Sequence, residues 1–178
     1  MTVENIALWA QRKGLDLLGT GDGLQADWLD AIEADMEEAE PGLLKLRPDV
    51  EARVTRLLPE WLRRPLRYVV SAEVCCAPPG TPPLGGIHHL LYFPSLEHAR
   101  RFRERMKPHG DLNEGRPELR LNSRELMAAV LEFDPLCRLV AAHVFNPWYS
   151  TLGTVSGGRT PGEVLATWLV TCWRWKRG

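Results

Sequence analysis

A chain of 178 residues is long enough for one domain with a sizeable hydrophobic core. Hydrophobic residues make up 44% and charged residues 25%, which excludes a disordered or low-complexity chain. A net charge of −1 excludes a uniformly basic nucleic-acid binder and leaves only a local basic face for that role.

Residues from Thr2 to about Arg12 read as a helix, with Thr2 as its cap, Ile6, Trp9 and Ala10 on one face, and Gly14 as its stop. Leu15 to Gly19 reads as a short buried strand. Trp28 to about Glu40, rich in acids, reads as a second helix ended by Pro41-Gly42. Pro59 to Arg64 fits a short helical turn. Leu66 to Cys76 and Gly86 to Phe93 read as strands, separated by a loop with Pro78, Pro79, Pro82 and Pro83. Ser95 caps a basic helix to about Met106, and Asn122 or Ser123 caps another through about Glu132. Cys137 to Val144 reads as a strand, and Pro161 suits the first turn of a last helix. Strands alternating with helices predict an α/β protein with largely parallel strands.

Four of the apolar stretches each carry a metal-binding side chain where a core residue would be expected: Asp22, Glu73, His88 and His143. A buried ionisable group is costly unless paired or bound to a metal. Four such groups of ligand chemistry point to one polar centre inside a strand-built core. Glu73 and His143 lead this set, since a carboxylate and a neutral imidazole suit a divalent ion. A paired carboxylate and a core histidine remain the competing reading of either residue alone. Asp22, in Gly19-Thr20-Gly21-Asp22-Gly23, suits a metal, an orienting role or a plain turn equally. His88 and His89 are neighbours, so a strand turns only one of them inward, and the other is expected near the surface.

Arg100, Arg101, Arg103, Arg105 and Lys107 make a basic run suited to a phosphate backbone or to a solvated face paired with acids. The loop Asn146-Pro147-Trp148-Tyr149-Ser150 follows His143 and offers an aromatic surface for a flipped base, or a seal for the core. Trp148, Arg124 and Arg101 are the candidate DNA contacts. Cys75, Cys76, Cys137 and Cys172 form no CxxC pair and read as buried, reduced thiols. Residues 165–178 hold Trp168, Trp173 and Trp175 beside Lys176 and Arg177 and read as an atypical tail, either an amphipathic helix or frameshifted sequence. No run has membrane-spanning length, and Met1 to Asn5 lacks a signal-peptide pattern, so a cytoplasmic protein with no membrane partner is expected.

The stretches NIALWAQRKGLDLLGTGD, VVSAEV, GIHHLLYFPS, EGRPELRLNSRELMAAVLE and AAHVFNPWYSTLG resemble the endonuclease Q family, a branch of the PHP metal-hydrolase superfamily. The resemblance runs from Met1 to about Val164, so residues 1–164 are expected to form a partial PHP domain. It implies a distorted β/α, TIM-like barrel with a multinuclear metal centre at its mouth. It also implies cleavage of DNA on the 5′ side of deaminated bases such as uracil or hypoxanthine, and at abasic sites, with divalent zinc, manganese or magnesium. By motif, Glu73 is the carboxylate ligand, and His88 is the histidine of an "IHN" motif with His89 in place of Asn. His143 is the histidine of a "PAH" motif with Ala142 in place of Pro, and Asp22 is the Asp of "GTGD".

Three departures bear on activity. Gln25 stands where the family has a histidine, and both the opening histidine motif and a closing Asp-x-His motif are missing. The resemblance therefore implies a piece truncated at both ends, with damaged DNA as the expected partner. It is an enzyme only if the missing motifs are supplied. The alternatives are a PHP-type phosphatase of a small phosphoester and a non-catalytic remnant.

Overall fold

The computed structural model describes residues 2–158 and 160–165. Helix α1 (Val3–Arg12) begins where the Thr2 hydroxyl accepts the Asn5 N–H, and Gly14, at φ 73°, turns the chain out of it. It buries Val3, Ala7 and Ala10, with Ile6 at the margin; Trp9, expected on that face, is 56% exposed. Strand β1 (Leu17–Gly19) follows, but Leu17 is exposed, so the strand is not the buried one expected.

Helix α2 (Ala26–Asp35) stops short of Glu40. From Met36 the chain forms an antiparallel hairpin of β2 (Met36–Glu40) and β3 (Leu43–Leu46) around Pro41-Gly42. Gly42 has φ 85°, as a turn with proline before glycine requires. Met36, Leu44 and Leu46 turn inward while Glu37 pairs with Lys45 at 3.2 Å. The hairpin's alternating burial outweighs the helix propensity of the acidic run. Helix α3 (Pro48–Arg56), not anticipated, starts with proline and carries Asp49 and Glu51 in its first turn and Arg53 and Arg56 in its last, matching the helix dipole.

The long strands β4 (Arg67–Cys76) and β5 (Ile87–Phe93) form the centre. Helix α4 (Leu96–Met106), the short strand β6 (Glu118–Leu119), helix α5 (Ser123–Phe133), strand β7 (Arg138–Ala141) and helix α6 (Pro161–Leu165) complete the order. α5 is fixed by a capping box between Asn122 and Glu125.

The sheet runs β2-β3-β4-β5-β7 with every neighbour antiparallel, and β1 and β6 pair with β4 in parallel. This overturns the expected TIM-like barrel of alternating strands and helices. The architecture is mixed α/β, with an antiparallel sheet curled as a half-barrel. The reason is covalent: no helix lies between β2 and β3 or between β4 and β5, and a parallel return needs a crossover of a dozen residues or more, usually helical.

Alternation then sorts the two faces of the sheet. Tyr68, Val70, Ala72, Val74 and Cys76 of β4, with Leu91 and Phe93 of β5, pack against the helices in one core. Glu73 of β4 and His88 of β5 lie on the opposite face. Cys75, Cys76 and Cys137 are free, buried thiols, as expected. Among the described residues no helix is long and apolar enough to cross a membrane. Beyond Leu165, the tryptophan-rich tail and Cys172 lie outside the described residues.

Candidate metal centre

Glu73 stands in the second half of β4, opposite Leu90, while His88 pairs with Cys75, so the two side chains meet diagonally across the strands. Glu73 Oε1 lies 3.0 Å from His88 Nδ1. His143, two residues past β7, closes the group: its Nε2 is 3.1 Å from His88 Nδ1 and 3.9 Å from Glu73 Oε1. The Ala142 N–H donates to the His88 carbonyl at 3.1 Å, which carries the end of β7 to this point. His143 itself has φ 29°, a conformation that a side-chain-bearing residue adopts at a cost.

Three donors of the right kind thus converge within 4.8 Å of one another. A tetrahedral ion bound at ~2.0–2.1 Å separates its donors by roughly 3.3 Å. The observed 3.0, 3.1 and 3.9 Å bracket that value, so the residues fit a divalent ion. Two imidazoles and one carboxylate leave one position open for water or substrate, as catalytic zinc sites do. Among the described residues this is the one such cluster.

His88 is 3% exposed, and the Tyr149 ring stacks on it with centroids 4.6 Å apart and planes at 18°. Burial, with the positive charge of Arg116 nearby, holds His88 below the ordinary imidazole range despite the pull of Glu73. The shift favours the neutral imidazole, the form that can bind a metal ion. Arg116 approaches Glu73 Oε1 at 3.6 Å from the lip of the site.

Asp22 is not among the three converging donors. Its loop is tied to β4: the Ser71 hydroxyl accepts the Gly21 N–H, and the Ser71 carbonyl accepts the Gly23 N–H. Trp28 Nε1 donates to the Gly21 carbonyl at 2.9 Å and holds the loop from above. The carboxylate rests against Gly115, where a Cβ would meet its oxygens at 2.9 and 3.1 Å. Asp22 thus lies against Gly115, the neighbour of Arg116 in the chain.

His89 is also buried, contrary to the surface position expected for one of the pair. It points into the helix-packed core, where its Nε2 meets the Ser123 hydroxyl at 2.8 Å. Burial pushes its pKa down to about 4, so it is a neutral core histidine.

The basic run on α4 is largely occupied. Arg100 pairs with Asp30 and Glu33, Arg105 with Glu132, and Lys107 with Glu104, while Arg101 covers the Phe133 ring at 5.5 Å. This helix belongs to the layer across the sheet from Glu73. Arg124, in the first turn of α5, donates to the Glu163 carbonyl at 2.5 Å. Trp148 is half-exposed beside Tyr149. Arg116 and Tyr149 are the contacts that sequence reasoning did not single out. Both come from loops without periodicity, and their one signal was position: Tyr149 in the aromatic loop, and Arg116 inside a family-like stretch.

Comparison with solved structures decides what this arrangement resembles. Over 94% of its length the chain superposes, with a TM-score of 0.72 and 27% identity, on a crystal structure of endonuclease Q bound to a 27-mer duplex substrate with an abasic lesion at the active site. The chain is built like part of endonuclease Q. PfuEndoQ, a lesion-specific endonuclease from Pyrococcus furiosus, matches 84% of the chain with a TM-score of 0.65 and 30% identity. The chain spans only about a third of either endonuclease Q chain, 35% and 32% respectively. No family model and no curated protein matches it.

Proposed function

We propose that residues 1–164 form the metal-binding part of an endonuclease Q-like nuclease, which cleaves DNA 5′ of deaminated bases such as uracil or hypoxanthine, or at abasic sites. The observation that carries this reading is the convergence of Glu73, His88 and His143 within a fold that resembles a lesion-specific endonuclease. The three side chains would hold one divalent ion, with zinc or manganese suited to the imidazole donors. A bound ion supplies an activated water and neutralises charge on the phosphate.

The chain's own residues do the rest. His88, neutral and covered by Tyr149, keeps a lone pair directed at the ion. His143 completes the donor set from the segment just past β7, which the Ala142 N–H ties to the His88 carbonyl. Asp22, against Gly115, would set the loop that carries Arg116 beside Glu73. Trp148 supplies a half-exposed ring on which an extruded base can stack, with Arg124 as an outlying contact to the DNA backbone, while Arg101, over Phe133 across the sheet, would not reach DNA held at this centre.

The test is metal-dependent, lesion-selective binding of DNA. The purified chain, loaded with zinc or manganese, is mixed with duplexes that carry an abasic site, a uracil, or no lesion. Tighter binding of the damaged duplexes, lost with chelator and in Glu73→Gln, is the expected result. Metal-loaded protein that binds all three duplexes alike would overturn the reading.

A further inference from the structure

Arg116 is held in an unusual way. It lies in the loop before β6, its side chain is 55% exposed, and its one ion pair among the described residues is with Glu73 at 3.6 Å. That distance is too long for a charge-assisted hydrogen bond, which measures ~2.7–2.9 Å. The guanidinium is therefore near the site's carboxylate without being locked to it, and its donors remain available. Gly115 lets the Asp22 carboxylate lie close against the loop, since a Cβ there would meet its oxygens at 2.9 and 3.1 Å and push it aside. Asp22 in turn is anchored through its loop to Ser71 of β4, two positions before Glu73.

An ion bound at ~2 Å from Glu73 Oε1 would stand within about 6 Å of the guanidinium. Ion and guanidinium would then repel one another across Glu73, whose charge the ion would share. An anion with one oxygen on the open position of the ion and another toward Arg116 would relieve that repulsion. A tetrahedral phosphate has this shape, and the planar fork of an arginine matches two of its oxygens.

We propose that Arg116 is the phosphate-anchoring residue of this centre: it clamps a non-bridging oxygen of the scissile phosphate while Asp22 and Gly115 set its loop. This rests on the metal-centre reading above. It makes an unusual demand on mutants, because removing a cation from beside a metal site strengthens metal binding while removing a phosphate clamp weakens anion binding.

The experiment compares wild type, Arg116→Gln and Arg116→Lys in the full chain. Zinc affinity is measured by chelator competition, and inorganic phosphate binding is measured calorimetrically on the zinc-loaded protein. Expected for Arg116→Gln is zinc binding several-fold tighter and phosphate binding at least tenfold weaker, with Arg116→Lys recovering part of the phosphate affinity. Phosphate affinity unchanged in Arg116→Gln would overturn the proposal while leaving the metal centre standing. Zinc and phosphate affinities falling together, with a lower melting temperature, would show a structural role and overturn it too. A wild-type chain that takes up no zinc would sink the metal centre itself, and this proposal with it.

Discussion

Tyr149 and His88 form a stacked pair, ring centroids 4.6 Å apart, and the His88 N–H donates to the Tyr149 carbonyl at 3.0 Å. Ring and backbone of one loop residue thus fix the most buried member of the candidate centre. Residues that orient a metal-binding histidine typically contribute about 10–100-fold in affinity. Tyr149→Ala should therefore weaken zinc binding by about tenfold or more, and Tyr149→Phe should change it little, since the stacking face is kept. Chelator competition on the three proteins measures both.

His143 carries its imidazole on a backbone of φ 29°. Such a conformation costs of order 1–3 kcal/mol in a residue with a Cβ and little in glycine. His143→Gly should abolish tight metal binding yet leave the metal-free protein as stable as wild type or more so. His143→Ala should lose the metal without that gain. Melting temperatures of the three metal-free proteins, read beside their zinc content, check the opposite signs.

Cys137 is buried, and burial raises its thiol pKa to about 11, with Asp134 adding to the shift. A folded-state pKa above that of the unfolded thiol, about 8.5, means that this group's contribution is fully present below that value. The contribution fades as pH rises from there through about 11. Cys137→Ala should flatten the loss of stability over that alkaline window, as seen in denaturant midpoints at successive pH values. At pH 8 the native thiol should react with an alkylating probe far more slowly than in denaturant.

Much of the centre was legible in the sequence because its residues break a pattern. Glu73, His88 and His143 each interrupt an apolar run, so an ionisable side chain stands out there. Strand alternation could not say which of His88 and His89 faces the site, because both faces of β5 are covered: one by helices, the other by the Tyr149 loop. Arg116 and Tyr149 were not legible as site residues, since loop geometry brings them in. Strand direction was misjudged for a reason the sequence did contain: Ala77 to Gly86, crowded with prolines, offers no crossover helix between β4 and β5. Pro41-Gly42 likewise marked a hairpin turn rather than a helix end, and Leu44 and Leu46 show the period of two that goes with it.

The most direct measurement is metal content of the purified 178-residue chain by elemental analysis, beside Glu73→Gln. One carboxylate oxygen is the ligand that Gln replaces with a neutral, weaker donor of the same shape, so more than ~100-fold of affinity should be lost, exceeding what an orienting residue contributes. The account predicts close to one zinc or manganese ion per chain in the wild type and almost none in the variant, with both proteins folded. Equal metal content in the two, or a folded wild-type chain that binds none, would contradict it.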